Sequence, residues 1–152
     1  MNFASDNAGP MHPKVLAAIT SAIEGYAMPY DNGPIMYEVR DRIRVTFEAP
    51  EAAVYLIING TAANSVLLAS MTQPWQTIFC ADCAHIHEDE CNAPEFYSQA
   101  KLTLVPTTDG KMAADDLRRK ILGEGNRGVH GPQRGPLSIT QVTETGLSLI
   151  HI

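Results

Sequence analysis

Three groups of residues have types and spacings that could do chemistry. The first is Asn59-Gly60-Thr61-Ala62-Ala63-Asn64, which follows an apolar run over residues 53–58 and leads into Ser65-Val-Leu-Leu-Ala-Ser-Met71. A helix that begins directly after a buried strand presents unpaired backbone N–H groups and the positive end of its dipole at the strand's carboxyl end. That combination holds an anion, most often a phosphate. Gly60 lets backbone approach closely, and Thr61 adds a hydroxyl donor. The segment lacks the Lys-Ser/Thr ending of a P-loop and the second and third glycines of a dinucleotide fingerprint. From spacing alone it is either a phosphate site or an ordinary strand-to-helix turn. The second group is Cys80-Ala-Asp-Cys83-Ala-His85-Ile-His87, with Cys91 nearby. A Cys-x-x-Cys with histidines beside it is a zinc half-site in form. Cys80, however, closes an apolar strand and is expected to be buried, and the chain has no second Cys pair, so no metal is assigned. A redox role is also set aside, because in oxidoreductases this motif opens a helix rather than closing a strand. The third is His85 itself. It follows a predicted strand at the carboxyl edge of the sheet, where open parallel sheets bind ligands. An imidazole there can stack on a planar ring whose phosphate tail sits at Gly60-Thr61, or it can be a histidine hydrogen-bonded within a loop.

These residues need elements to position them. Pro13 to Glu24 is expected to be a helix, with Pro13 in its first turn and Val15, Leu16, Ile19 and Ile23 on one face. Residues 25–34 form a loop of turn residues. A second amphipathic helix is expected from Ile35 to Phe47, with Met36, Val39, Ile43 and Phe47 apolar and Glu38, Arg40, Asp41 and Arg44 facing water. Strands are expected over 53–58, 77–80, 102–105 and 137–142. Helices are expected over 65–71, over 86–97 with a weakness at Pro94, and over 113–122. Residues 123–136 read as a Gly/Arg-rich loop and Asp109-Gly110 as a turn. Alternating strands and helices predict an α/β protein with a parallel sheet covered on both faces.

Composition narrows the partners. The 152 residues suffice for one domain with a sizeable core, and a net charge of −6 argues against nucleic acid or an acidic membrane as partner. No apolar run has the length of a membrane span, and residues 1–6 have neither the basic nor the apolar region of a secretory signal. Three cysteines fit a reducing compartment, so a cytoplasmic location is the expectation.

Taken in order, Ser5-Asp6 in the N-terminal arm, a loop carrying Tyr30, the Asn59–Asn64 turn, Ala84-His85-Ile86 with Glu90, and Thr140-Gln-Val-Thr-Glu144 resemble the low-specificity threonine aldolases. These belong to the β-eliminating lyase group of pyridoxal-phosphate enzymes. The resemblance spans about residues 2–146 and implies the aspartate-aminotransferase (fold type I) architecture. It implies pyridoxal 5′-phosphate as cofactor, held by Gly60 and Thr61 at its phosphate and by His85 stacked on its ring. It implies His85 and Glu90 as catalytic residues, Ser5 and Tyr30 as substrate-binding residues, and no metal. Asn59 departs from the more usual Ser or Thr of that motif. The implied reaction cleaves a β-hydroxy-α-amino acid such as threonine to glycine and an aldehyde. The cofactor ring takes up electrons, and His85, directly or through water, serves as base. A small-molecule amino-acid substrate and a homo-oligomer of the full-length enzyme follow from the same likeness, with no nucleic-acid or membrane partner.

That chemistry also needs a lysine to carry the cofactor, an acid for the pyridine nitrogen and a cation for the substrate carboxylate. Lys14, Lys101, Lys111 and Lys120 all lie on expected surface positions, none in the apolar pocket of an activated amine. The chain is therefore expected to be the N-terminal part of a longer enzyme, inactive alone. It is organised as an arm, helix and loop (1–34), a partial cofactor-binding large domain (35–146) and a non-native tail (147–152). The tail, Leu147-Ser-Leu-Ile-His-Ile152, resembles a translated transposase end sequence. In that architecture the strands near 77–80, 101–105 and 137–142 pair with one another, and the 53–58 strand lacks its neighbour, an aggregation hazard. The alternative from another class is a non-catalytic domain that binds a phosphorylated small molecule at Gly60-Thr61.

Overall fold

The structure is a computed structural model and describes residues 9–141 and 143, apart from 24 and 31. It divides into two compact units, one reaching Tyr55 and one starting at Leu56. The first unit holds two helices. Helix α1 (Pro13–Ala22) has Pro at its first position, where the missing N–H costs nothing, and His12 as N-cap, accepting at Nδ1 from the Lys14 amide at 3.2 Å. Its apolar face is exposed, from 45% at Ile19 to 73% at Ile23. Helix α2 (Pro34–Thr46) starts one residue earlier than the pattern suggested. Arg44, expected to face water, is half-buried. It donates through Nε to the Ala52 carbonyl at 3.0 Å and pins the chain that leaves the helix.

The second unit contains helix α3 (Gly60–Met71), strand β1 (Gln76–Ala81), the short helices α4 (His85–Glu88) and α5 (Ala93–Ser98), and strand β2 (Lys101–Val105). A two-strand ribbon, β3 (Thr107–Thr108) and β4 (Lys111–Met112), helix α6 (Ala114–Gly123) and strand β5 (Gln133–Leu137) complete it. The main sheet has the order β2-β1-β5 and is parallel throughout, as expected from the alternation of elements. β1 is central: Thr77 through Ala81 are all buried. Ile78 and Cys80 pack with Leu68 of α3, Ile86 of α4 and Ala100 to form the core. The register sets Phe79 against Thr103, and Thr77 shares a hydroxyl hydrogen bond with Thr103 at 2.6 Å. The β3–β4 ribbon turns through Asp109 (φ 52°) and Gly110 (φ 73°), the doubly left-handed geometry for which Asp-Gly is suited.

Three sequence expectations are corrected. The final strand is residues 133–137, not 137–142, within what read as a loop. Pairing with β1 decides this, and the ladder tolerates Pro136 because Gly135 and Pro136 together oppose Ile78 across a bulge. The helix expected over 86–97 is two helices, broken where Cys91 (φ 50°) and Asn92 (φ 59°) are both left-handed; Pro94 then sits in the first turn of α5. Residues 53–58 form no strand and are not buried: Tyr55 is 80% and Ile58 93% exposed. A strand exists only where its backbone groups find a neighbour, and none of β1, β2 or β5 ladders with this run, as its missing neighbour implied. The 147–152 tail lies outside the described residues.

Candidate functional site

Helix α3 begins at Gly60, not at Ser65, because Asn59 caps it. Asn59 is extended (φ −156°, ψ 172°), and its Oδ1 accepts from the Ala62 amide at 2.8 Å, while its carbonyl accepts from Ala63 at 3.1 Å. The cap leaves the Gly60 and Thr61 amides without an intrahelical carbonyl, pointing out of the positive end of a twelve-residue helix. A methyl group added at Gly60 would meet nothing within 4 Å, so the space beside its Cα is open. Thr61 and Asn59 line a cavity of about 400 Å³ together with Ala93 and Tyr97 of α5 and with Ser65, whose buried hydroxyl has no partner among the described residues. Two free amides, a hydroxyl and room for an anion fit a phosphate group. The Asn59 side chain is committed to the cap.

His85 is the first residue of α4, four positions beyond the end of β1 and so at the carboxyl edge of the sheet. Between them, Asp82 is held by Thr107, which donates its hydroxyl (2.5 Å) and its amide (3.3 Å) to the carboxylate. The imidazole is 41% exposed and lies between two carboxylates, Asp89 Oδ2 at 3.8 Å from Nδ1 and Glu90 Oε1 at 3.6 Å from Nε2. The Glu90 side chain is fully buried. Its Oε1 accepts from Asn64 Nδ2 at 2.7 Å, and its Oε2 has no hydrogen-bond partner. Asn64 stands one turn beyond Gly60 on α3, about 6 Å along the axis. The helix that starts at Gly60 and the histidine past the end of β1 are thereby linked through Asn64 and Glu90.

This arrangement is poor for stability. Removing a carboxylate from water costs several kcal/mol, and one hydrogen bond to a charged group returns only about 1.5–3 kcal/mol. The left-handed Cys91, next in the chain to Glu90, adds roughly 1–2 kcal/mol more. Strain and desolvation coincide at Glu90 and Cys91. By contrast, the cysteines do not assemble. Cys80 is in the core, Cys91 is exposed, and burial, with the Glu95, Asp82 and Cys83 charges adding to it, pushes the Cys80 thiol up to about 12.

Gly60, Thr61, His85 and Glu90 thus belong to one neighbourhood. Tyr30 lies in the first unit, 92% exposed and left-handed (φ 58°). Ser5 lies outside the described residues, and of the 140–144 motif only Thr140, Gln141 and the buried Thr143 are described. The sequence reading missed Asn64 as a contact. With the helix expected to begin at Ser65, Asn64 read as a turn residue; only the start at Gly60 puts this weak helix former in a second turn, where it finds a tertiary partner. Lys14, Lys101 and Lys120 are exposed and Lys111 half-buried, so no described lysine sits in a closed pocket.

A parallel sheet flanked by helices, with His85 just past the carboxyl end of its central strand, defines an α/β protein. The model of the beta-eliminating lyase family matches residues 2–149, and the chain belongs to that family. It is 36% identical over 145 residues to a low specificity L-threonine aldolase of Pseudomonas aeruginosa, and 35% identical to one of a Pseudomonas species (strain NCIMB 10558). Each alignment covers 95% of this chain and 41% of the relative, so the chain spans about two fifths of their length. The fold is that of a solved threonine aldolase from Leishmania major, with a TM-score of 0.83 at 24% identity over 93% of this chain and 40% of that one.

Proposed function

We propose that this chain supplies the phosphate- and ring-binding part of a pyridoxal-phosphate-dependent aldolase acting on threonine-like β-hydroxy-α-amino acids. One observation carries the reading: the open, free-amide start of α3 at Gly60-Thr61 is joined through Asn64 and Glu90 to His85 at the sheet's carboxyl edge. In this role the Gly60 and Thr61 amides and the Thr61 hydroxyl hold the phosphate, and the His85 ring lies against the pyridine. When bound, the cofactor serves as an electron sink for cleavage of the substrate's Cα–Cβ bond. The protein's own contributions are binding and proton handling. The helix dipole and amides fix the anion. The imidazole of His85 is positioned to take the proton of the substrate hydroxyl, directly or through water, with the buried Glu90 carboxyl group 3.6 Å from its Nε2. Ser5 and Tyr30 would complete the substrate side. Among the described residues no lysine is placed to carry the cofactor, so turnover belongs to an enzyme as long as the relatives, which on the family likeness is a cytoplasmic homo-oligomer. Among the described residues no helix is long and apolar enough to cross a membrane.

The test uses the complete reading frame, purified with pyridoxal 5′-phosphate and supplied with L-threonine, with aldehyde release followed through a coupled dehydrogenase. Aldehyde and glycine in equal amounts are expected. Thr61→Val should weaken cofactor binding about tenfold, and His85→Ala should lower kcat by two orders of magnitude or more. A cofactor-loaded enzyme that releases no aldehyde refutes the proposal. The exposed placement of the described lysines favours a second reading, that of a non-catalytic phosphate-binding domain. It predicts a cooperative melt of the 152-residue chain, raised by a phosphorylated ligand, and no activity in the complete protein.

A further inference from the structure

Helix α4, which carries His85, is four residues long. A single turn of helix does not hold itself together, because nucleation fixes several dihedral angles for one hydrogen bond gained. Its place is therefore set by what anchors its buried face and its ends. Ile86, 4% exposed, seats it on the core. The anchor ahead of it is Asp82, the first residue past β1. From there the chain turns through residues 81–84, with the Ala84 amide donating to the Ala81 carbonyl at 3.1 Å. The His87 and Glu88 amides then donate to the Ala84 carbonyl at 2.8 and 3.0 Å. Asp82 donates its own amide to the Val105 carbonyl at 3.0 Å. Its carboxylate oxygens take both donors of Thr107, the hydroxyl at 2.5 Å and the amide at 3.3 Å. The hydrogen of that hydroxyl goes to Asp82, so the Cys83 thiol, 3.7 Å from the same oxygen, is the donor in its contact with Thr107. Thr107 opens β3, just past the end of β2. The turn that leads into His85 is thus fastened, at two successive residues, to the chain leaving the neighbouring strand.

From this we infer that Asp82 and Thr107 form a positioning pair: they fix the turn from which α4 departs, and with it the place of His85 at the carboxyl edge of the sheet. The inference rests on the reading of His85 as the residue that lies over the cofactor ring, and it extends that reading to two residues with no role of their own in binding or proton transfer. It concerns where the backbone puts His85 and is independent of what the imidazole touches. The residue types suit the task. A carboxylate accepts at both oxygens and so satisfies the hydroxyl and the amide of one residue together, whereas an Asn would turn a donor towards one of them. The short O–H···O distance is that of a charge-assisted bond, the stronger kind. Rate responds to such anchoring because a displacement of about 1 Å in a catalytic group can cost about a hundredfold.

The measurement is backbone hydrogen exchange, read by mass spectrometry from peptides spanning residues 83–90 of the complete reading frame without cofactor. It is paired with kcat and KM for L-threonine after loading with pyridoxal 5′-phosphate. Thr107→Val keeps the shape and the amide of the residue and removes the hydroxyl. It should speed exchange over 83–90 about tenfold, the loss of one hydrogen bond to a charged group, while peptides of α3 stay within about twofold of wild type. Asp82→Ala should speed it at least as much. The two together should stay within about twofold of Asp82→Ala alone, because the valine then removes a hydroxyl whose acceptor is already gone. Thr107→Ser retains the hydroxyl and should restore exchange to within about threefold of wild type. Asp82→Asn keeps one acceptor and should fall between wild type and Asp82→Ala; it serves if Asp82→Ala does not fold. In the loaded enzyme Thr107→Val should lower kcat about tenfold with KM within about twofold. Exchange that rises over 107–112 and not over 83–90 means that the pair holds only the β3–β4 ribbon, and it overturns the inference. A rise of equal size in α3 overturns it too, and so does faster exchange over 83–90 with an unchanged kcat. A loaded wild type that releases no aldehyde rejects the proposed function, and exchange over 83–90 then decides by itself whether Asp82 and Thr107 hold the turn. An active wild type whose variants leave exchange and kcat unmoved does the reverse.

Discussion

Replacing Asn59 by Asp separates two roles that the start of α3 combines. Asn and Asp are equivalent as N-caps, so Asn59→Asp should keep the bond to the Ala62 amide, now 2.8 Å, and change stability by no more than a few tenths of a kcal/mol. The new carboxylate, however, stands beside the Gly60 and Thr61 amides. One unit charge about 6 Å from an anion, at an effective dielectric constant of about 40 for this exposed position, costs about 1.4 kcal/mol for each charge on that anion. Affinity for inorganic phosphate or pyridoxal 5′-phosphate should therefore fall at least about tenfold in calorimetric titrations, with the effect shrinking as salt is added. Asn59→Ala does the opposite. It loses the cap, about 1 kcal/mol or roughly 4–8 °C in Tm for a unit of this size, and adds no charge against the anion. If Asn59→Asp binds phosphate as tightly as the wild type while its melting temperature is unchanged, the anion is not held at the start of α3, and the reasoning fails.

Gly135→Ala should be severe for a small change. Its Cβ would meet the Thr77 carbonyl oxygen at 2.5 Å across the β1–β5 ladder, and a loss of roughly 1–3 kcal/mol is expected in urea unfolding, without a change in m. Cys80 should resist a thiol reagent in the folded chain while the exposed Cys91 reacts, and all three cysteines should react in denaturant. The Cys80 thiol is raised from its ordinary value of 9.0 to about 12, so the folded state favours the protonated form. That contribution to stability is complete below pH 9 and is lost as pH climbs towards 12, which alkaline denaturation midpoints of Cys80→Ala against wild type would show as a reduced slope in the variant. Asn92→Gly should be nearly neutral and Asn92→Ala should cost about 1 kcal/mol in thermal unfolding, because the residue is left-handed at φ 59° and a Cβ without a polar group is strained there.

Most elements were legible because their signals are local. Pro13 and Pro34 open helices, Asp109-Gly110 makes its turn, and the apolar run after residue 76 forms the buried central strand. The failures share a cause. Gln133–Leu137 contains Gly and Pro and looks like a loop, and it becomes a strand only because β1 offers a ladder and a bulge absorbs the proline. Residues 53–58 have the composition of a strand and no ladder partner among the described residues. The break at Cys91-Asn92 carries no glycine to announce it, and it lies between the buried Glu90 and the buried Pro94.

The sequence by itself determined the chemistry available: an Asn-Gly-Thr start for one helix, a histidine just past the central strand, and a family likeness resting on their order. These follow from backbone geometry and capping, which act over a few residues. Tertiary structure alone decided what those residues touch. Glu90, an acidic residue that could equally have served as a solvated start to a helix, is shut inside against Asn64 and brought to His85. Which carboxylate loses its water depends on packing between elements distant in sequence, and that energy has no local signature.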